Sequence, residues 1–325
     1  MRIPEIEYPA YDEVVSGAAY YVEQPTAGYL RLTGPDRVDF LQRQTTNDVR
    51  LLAEDRAVVT VLTSPTARIL DVYTLIWEPD AIGIIPLPGR AQTAIEYLKS
   101  RIFFMDNVAV EDVSESVFQV VIGAKSMEEI AMEMGNAQPE NAAAGSASTV
   151  GLDVRWVVER GLSGQSYRLM VDHSARGILA SLLDLAGAVG LPTQSYEVLR
   201  IEAGLPAVDH ELTEDYTPFE VGLDETVSST KGCYTGQEVL ARQVTYDKVA
   251  NQLVGLRLDR PVEAGAAIRS EGSRVGAVTS AAESPRFGPI ALAVVRRGVI
   301  ESSSRLTVEA ASGEVNAMIA ALPFQ

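Results

Sequence analysis

Cysteine and histidine are nearly missing from this chain. Its 325 residues hold one Cys, Cys233, and two His, His173 and His210. A single thiol excludes an internal disulfide framework and fits a reducing, cytoplasmic setting. One thiol and two imidazoles cannot supply the four soft ligands of a structural zinc or iron–sulfur site. No metal is therefore assigned, and any cluster bound here would borrow thiols from another molecule. Positive charge is also scarce: 27 Lys and Arg stand against 44 Asp and Glu, a formal charge of −17. Because nucleic-acid affinity rests on cations neutralising phosphates, direct binding to nucleic acid is not expected. No apolar run approaches the roughly 20 residues of a membrane helix. The opening MRIPEIEYPAYDEVV lacks the apolar centre of a signal peptide. Nucleotide loops of the G-x-G-x-x-G and G-x-x-x-x-G-K-[ST] kinds are absent, as is a G-x-S-x-G elbow.

What is present reads as a soluble globular chain, 46% apolar and 22% charged, long enough for two or three domains. Residues 18–33 read as two strands joined by a Pro-Thr-Ala-Gly turn, followed by a helix with Pro35 in its first turn. Two β-rich runs, 57–63 and 69–77, flank a turn at 64–68, and 81–86 adds a third strand. Ala91, Ile95, Leu98 and Ile102 form one helical face, and 108–113 returns as a strand. A second α+β unit starts at 117, with residues 137–148, AQPENAAAGSAS, as a low-complexity, mobile connector. From 251 onward, five or six short strands with Gly and Ser turns fit an antiparallel β-barrel. The expected division is 1–56 with 114–250 as one α+β unit, 57–113 as a smaller one, and 251–325 as the barrel.

Two stretches carry candidate chemistry. In 228–242, SSTKGCYTGQEVLAR, Thr235 and Glu238 have the spacing of a capping box, and Tyr234 with Val239 that of a hydrophobic staple. Cys233 then lies just outside a helix N-terminus and two residues from Lys231, an arrangement that favours thiolate. An inert thiol beside an ordinary cap is the competing reading. Neither histidine is tied to Cys233 by spacing, since they precede it by 60 and 23 residues, so a Cys-His hydrolase has no support. In 199–211, LRIEAGLPAVDHE, Arg200 and Glu202 diverge on a helix and serve separate partners or wrap the helix end. A carboxylate can accept paired N–H groups from a pterin-like or purine-like ring, and an arginine can hold a carboxylate tail. A solvated helix face is the alternative.

Taken together, LRIEAG-P-…-HE and, thirty residues on, KGCYTGQEVLAR resemble the YgfZ family of folate-binding proteins. That family is related to the T-protein of the glycine cleavage system, an aminomethyltransferase. GYLRLTGPDRVDFLQRQTTND resembles the family's opening, and the likeness runs from about residue 25 to the end. The resemblance implies ferredoxin-like α+β units around a central folate cleft, with a C-terminal antiparallel barrel. It implies tetrahydrofolate or a derivative as cofactor, and a role in making or repairing iron–sulfur clusters in client enzymes, including a tRNA-modifying one. Glu202 corresponds to the pterin-binding glutamate of the relatives. Arg200, Lys231, Tyr234, Gln237 and Arg242 are candidates for the folate site, with Cys233 as a thiolate at the cleft mouth. The aminomethyltransferases carry two adjacent acids after a Gly-rich turn, whereas here ARILDVY supplies only Asp71. Strand alternation puts Asp71 and Val72 on opposite faces, so one of them faces the cleft. If the chain is an enzyme, it is expected to be a tetrahydrofolate-dependent one-carbon transferase, with Asp71 as base or amine-orienting carboxylate.

Overall fold

Two strands adjacent in the chain part company in the computed structural model, which describes residues 7–133, 143–149, 152–302, 305–311 and 313–325. Tyr20–Glu23 pairs antiparallel with Val117–Gly123 and parallel with Val189–Gly190. Gly164–Asp172, Leu152–Gly161 and Ala144–Thr149 complete this six-stranded sheet. Leu30–Thr33 enters a five-stranded antiparallel sheet instead, between Ala81–Ile85 and Ala109–Asp112, with Ile69–Trp77 and Val58–Thr63 beyond. The unit expected to start at residue 57 therefore starts near residue 28. The intervening segment is pinned to the second sheet: the buried Tyr29 hydroxyl donates to Glu78 at 2.6 Å. A Cβ on Gly28 would stand 2.7 Å from that of Ala91, so the backbone there lies against the helix Ala91–Ser100.

Each sheet covers an apolar face with helices. Arg37–Gln44 and Ala91–Ser100 bury Phe40, Leu41, Ile95 and Leu98 against Leu30, Leu32 and Leu75 of the five-stranded sheet. Ala124–Glu133 and Arg176–Leu185 bury Met127, Ile130, Leu179 and Leu183 against the six-stranded one. The two sheets meet through Tyr29, Ile76 and Ile85 on one side and Val157 and Met170 on the other. Ala144–Thr149 falls within the expected mobile connector yet forms an edge strand. Its small residues leave room for the Trp156 indole, which would lie 2.5 Å from a Cβ on Gly145. The rest of that connector, 137–142, lies outside the described residues.

The third body is a closed antiparallel barrel of six strands beginning at Asn251–Leu258, with Leu256, Ile268, Val295 and Val308 in its core. The helix Thr193–Ala203 joins it to the rest, packing Ile201 against Ile290, Leu292 and Phe324. It ends on Gly204, whose φ of 69° supplies the left-handed turn that stops the helix. Among the described residues no helix is long and apolar enough to cross a membrane.

Candidate functional site

Helix Thr193–Ala203 runs beside the barrel strand Ser273–Ser284 and sends its two candidate residues to different partners. Arg200 is almost fully enclosed: it binds Glu197 at 2.7 Å, Ser280 Oγ at 3.0 Å and the Leu205 carbonyl at 3.4 Å. Glu211, with no solvent exposure, lies 3.6 Å from Arg200 and accepts from Ser280 Oγ at 2.7 Å and from the Ala207 amide at 3.0 Å. Arg200 is thus committed to joining helix, loop and barrel, and has no donor left for the anionic end of a ligand.

Glu202 is 5% exposed and lines a cavity of about 270 Å³. Its Oε1 accepts from Tyr11 Oη at 2.5 Å and Ser284 Oγ at 2.6 Å, while among the described residues Oε2 has only Arg286, at 3.5 Å. Burial and the hydrogen bond to Glu202 both push the Tyr11 hydroxyl well above its ordinary range, so it stays a donor. Lys125, Phe324 and the half-exposed Arg286 line the same cavity. Tyr11, Ser284, Arg286 and Lys125 escaped the sequence reading. Tyr11 is 191 residues from Glu202, and no spacing rule spans that separation.

Helix Gln237–Thr245 of the cysteine stretch is built differently from the expected capping box. It begins two residues beyond Thr235, behind Gly236 at φ 85°, and no side chain caps it. The Thr235 carbonyl accepts from Thr63 Oγ1 at 2.6 Å, and a Cβ on Gly236 would meet Ser64 O at 2.8 Å. Tertiary docking onto the 64–68 turn has overridden the local cap. Lys231 is buried and donates to the carbonyls of Gln42, Thr45 and Asn47 at 2.9, 2.5 and 2.6 Å. These occupy all three of its N–H donors and satisfy the end of helix Arg37–Gln44. Burial lowers its pKa to about 8. Tyr234 packs with Ala67 and Leu240. Cys233 is exposed and free, but Lys231 has no donor to offer it, and the helix start lies four residues on. Gln237 reaches only the Gly232 carbonyl, at 3.5 Å, and Arg242 pairs with Glu238 at 2.6 Å on the surface. Cys233 is not among the residues that line the Glu202 cavity.

Asp71 is 4% exposed on Ile69–Trp77. A bulge at Leu70 resets the alternation, because Thr63 pairs with Ile69 and Leu62 with Asp71. Beyond it Val72 packs with Leu212 and Val221, and Tyr73 with the helix-side core, so Asp71 shares the Tyr73 face. The amides of Val72 and Leu87 both donate to Asp71 Oδ1, at 2.8 and 3.0 Å. Burial pushes the Asp71 carboxyl up to about 7, against the opposing pull of those amides and of Arg90.

Against known proteins, residues 12–231 match the GCVT N-terminal domain, and residues 251–325 match the glycine cleavage T-protein C-terminal barrel domain. The chain belongs to this glycine cleavage T-protein family. It is 31% identical over 310 residues to the aminomethyltransferase of Thermotoga neapolitana, a match covering 91% of the chain and 84% of that protein. It is 28% identical over 321 residues to that of Cutibacterium acnes, covering 91% and 84%. A putative chloroplastic transferase of Arabidopsis thaliana is 31% identical over 256 residues, which are 78% of the chain but only 59% of that longer relative. The structure of aminomethyltransferase T from Bartonella henselae superposes with a TM-score of 0.82 at 21% identity, covering 98% of this chain and 91% of that one. The fold is therefore T-protein-like: mixed α/β sheets and a closed six-stranded barrel.

Proposed function

We propose that this protein binds a reduced folate at Glu202 and carries out one-carbon transfer of the aminomethyltransferase type. The observation that carries the reading is Asp71, a buried carboxyl whose Oδ1 is held by two amides while Oδ2 is left clear of them, and which burial pushes up to about 7. A group poised near ambient pH is suited to taking a proton from an amine donor and returning it. Support also comes from the curated relatives, two of which are aminomethyltransferases matched over most of their length. Tetrahydrofolate, when bound, supplies the nitrogens that accept the one-carbon unit.

The Glu202 cavity fits one edge of a pterin ring. Oε2 has room for a ring N–H beside Arg286, whereas a two-point grip requires Tyr11 or Ser284 to release Oε1. Pockets for whole drug-sized ligands run from roughly 300 Å³ upward, so the cavity's 270 Å³ holds the bicyclic head and leaves the tail outside. Calorimetry with tetrahydrofolate and its 5-formyl analogue tests the reading. Glu202→Gln is expected to weaken binding by roughly 10- to 100-fold, the loss of one charge-assisted hydrogen bond. Asp71→Asn is expected to keep folate binding and lower transfer from an aminomethyl or N-methyl donor by at least ~100-fold. Absence of binding at millimolar folate removes the proposal.

A second reading, favoured by the exposed Cys233 in KGCYTGQE, is a YgfZ-like folate-binding protein of the cytoplasm that maintains iron–sulfur clusters in client enzymes. Here Asp71→Asn is silent, and Cys233→Ala fails to restore client-enzyme activity in a deletion strain under oxidative stress. Any tRNA is reached through a client, given the charge of −17.

A further inference from the structure

A cavity of about 760 Å³ lies between the outer wall of the barrel and residues 209–216, and the folate reading does not use it. Its wall comes from strands Ser273–Ser284 and Gly288–Arg296, whose ladder is interrupted within the cavity. Val278 pairs with Ala293 and Ser280 with Leu292, which leaves Thr279 as the extra residue of a β-bulge. Bulges free a residue from the ladder and re-aim its groups. The Thr279 carbonyl accepts from His210 Nδ1 at 2.9 Å, which places that proton on Nδ1 and leaves Nε2 for another partner. Thr279 itself is 6% exposed, and its buried Oγ1 has no hydrogen-bond partner among the described residues. A buried hydroxyl without a partner is costly and rare in native folds.

The rim carries two arginines, in a chain that is otherwise acidic. Arg274 and Arg296 both line the cavity, each next to a residue of the barrel core, Val275 and Val295, so alternation turns them outward. Neither has an ion-pair or hydrogen-bond partner among the described residues. Of the two carboxylates on the rim, Asp209 is held by Arg90 from the five-stranded-sheet unit, which leaves Asp215. The planar forks of two guanidiniums match the oxygens of phosphate or carboxylate.

We propose that this cavity binds a small ligand bearing one phosphate or carboxylate group, gripped by Arg274 and Arg296 and oriented by His210 and Thr279. Asp215 suits a neighbouring amine or hydroxyl on the same ligand and disfavours polyanions. The site is independent of folate, since Glu202 lines a different cavity.

Calorimetric titration of the whole chain with inorganic phosphate and, separately, with propionate, at matched low ionic strength, tests it. At least one is expected to bind saturably below ~10 mM, and Arg274→Gln with Arg296→Gln to weaken it about tenfold or more. Tighter phosphate assigns a phosphate ester, and tighter propionate a carboxylate. Thr279→Val, which removes the hydroxyl and no charge, is expected to weaken binding about threefold or more, as a built site requires and diffuse surface charge does not. Glu202→Gln is expected to leave it unchanged while weakening folate. Lack of saturable binding by either anion overturns the proposal. So does equal affinity in the double arginine variant, or in Thr279→Val.

Discussion

Two amides converge on Oδ1 of Asp71, so its proton resides on Oδ2. An unfolded aspartate titrates near 3.9, whereas the folded carboxyl titrates at about 7. Between those values the folded chain holds a proton that the unfolded chain has released. Stability from this group is therefore fully present at low pH and is lost as pH rises through 7. At about 1.4 kcal/mol per unit, the loss amounts to at most about 4 kcal/mol. Asp71→Asn keeps the acceptor for both amides and sets an N–H where the proton sat. Urea unfolding is expected to give the variant wild-type stability only below about pH 4, and an advantage that grows up to about pH 7 and stays level beyond it. A variant with no advantage over wild type at about pH 8 would refute the assignment. The lone acid was legible in ARILDVY, but its partners were not: the Leu70 bulge that turns it, and the Leu87 amide that holds it, depend on strand register rather than on any motif.

Lys231, Tyr234 and Gly236 hold the KGCYTGQE stretch against the five-stranded sheet and its helix, which leaves the thiol of Cys233 on a fixed, exposed corner. The stretch stands out in the sequence, yet its local geometry does not follow from it. T-x-x-E spacing is satisfied by many sequences, and here the Thr235 carbonyl and the Gly236 backbone are taken by the 63–67 segment, which no local rule sees. Gly236 carries the consequence. Its φ of 85° suits glycine, and a methyl there would meet the Ser64 carbonyl, backbone that cannot swing aside. Gly236→Ala is expected to destabilise the chain by about 2–4 kcal/mol, from the left-handed conformation and the clash together. Chemical denaturation measures it. Folate affinity is expected to be unchanged, because Glu202 lines a cavity elsewhere. Loss below ~0.5 kcal/mol means that the loop docks differently.

The six-stranded-sheet body and the barrel meet at helix Thr193–Ala203, and Arg200 is the cation at that meeting. The barrel was readable because its short strands and Gly-Ser turns are local signals, and so was the α+β texture before it. Which strand joined which sheet was not, since Tyr20–Glu23 and Leu30–Thr33 look alike by pattern and are sorted only by what Tyr29 and Gly28 touch. For Arg200 the sequence leaves open the folate's anionic end or the shaping of the cleft, because burial cannot be seen in a sequence. Its enclosure beside Glu211 leads to a test on the whole molecule. Removing the guanidinium in Arg200→Met leaves Glu211 buried and unpaired, a cost of about 3–5 kcal/mol. That charge sits where helix, loop and barrel strand meet, so scanning calorimetry is expected to show the barrel melting apart from the rest. Replacing both partners, Arg200→Met with Glu211→Leu, removes the stranded charge and is expected to recover most of the loss, since apolar substitution of a buried pair is close to neutral. A single transition within ~2 °C of wild type for Arg200→Met would show that the Arg200–Glu211 pair does not hold the barrel to the rest.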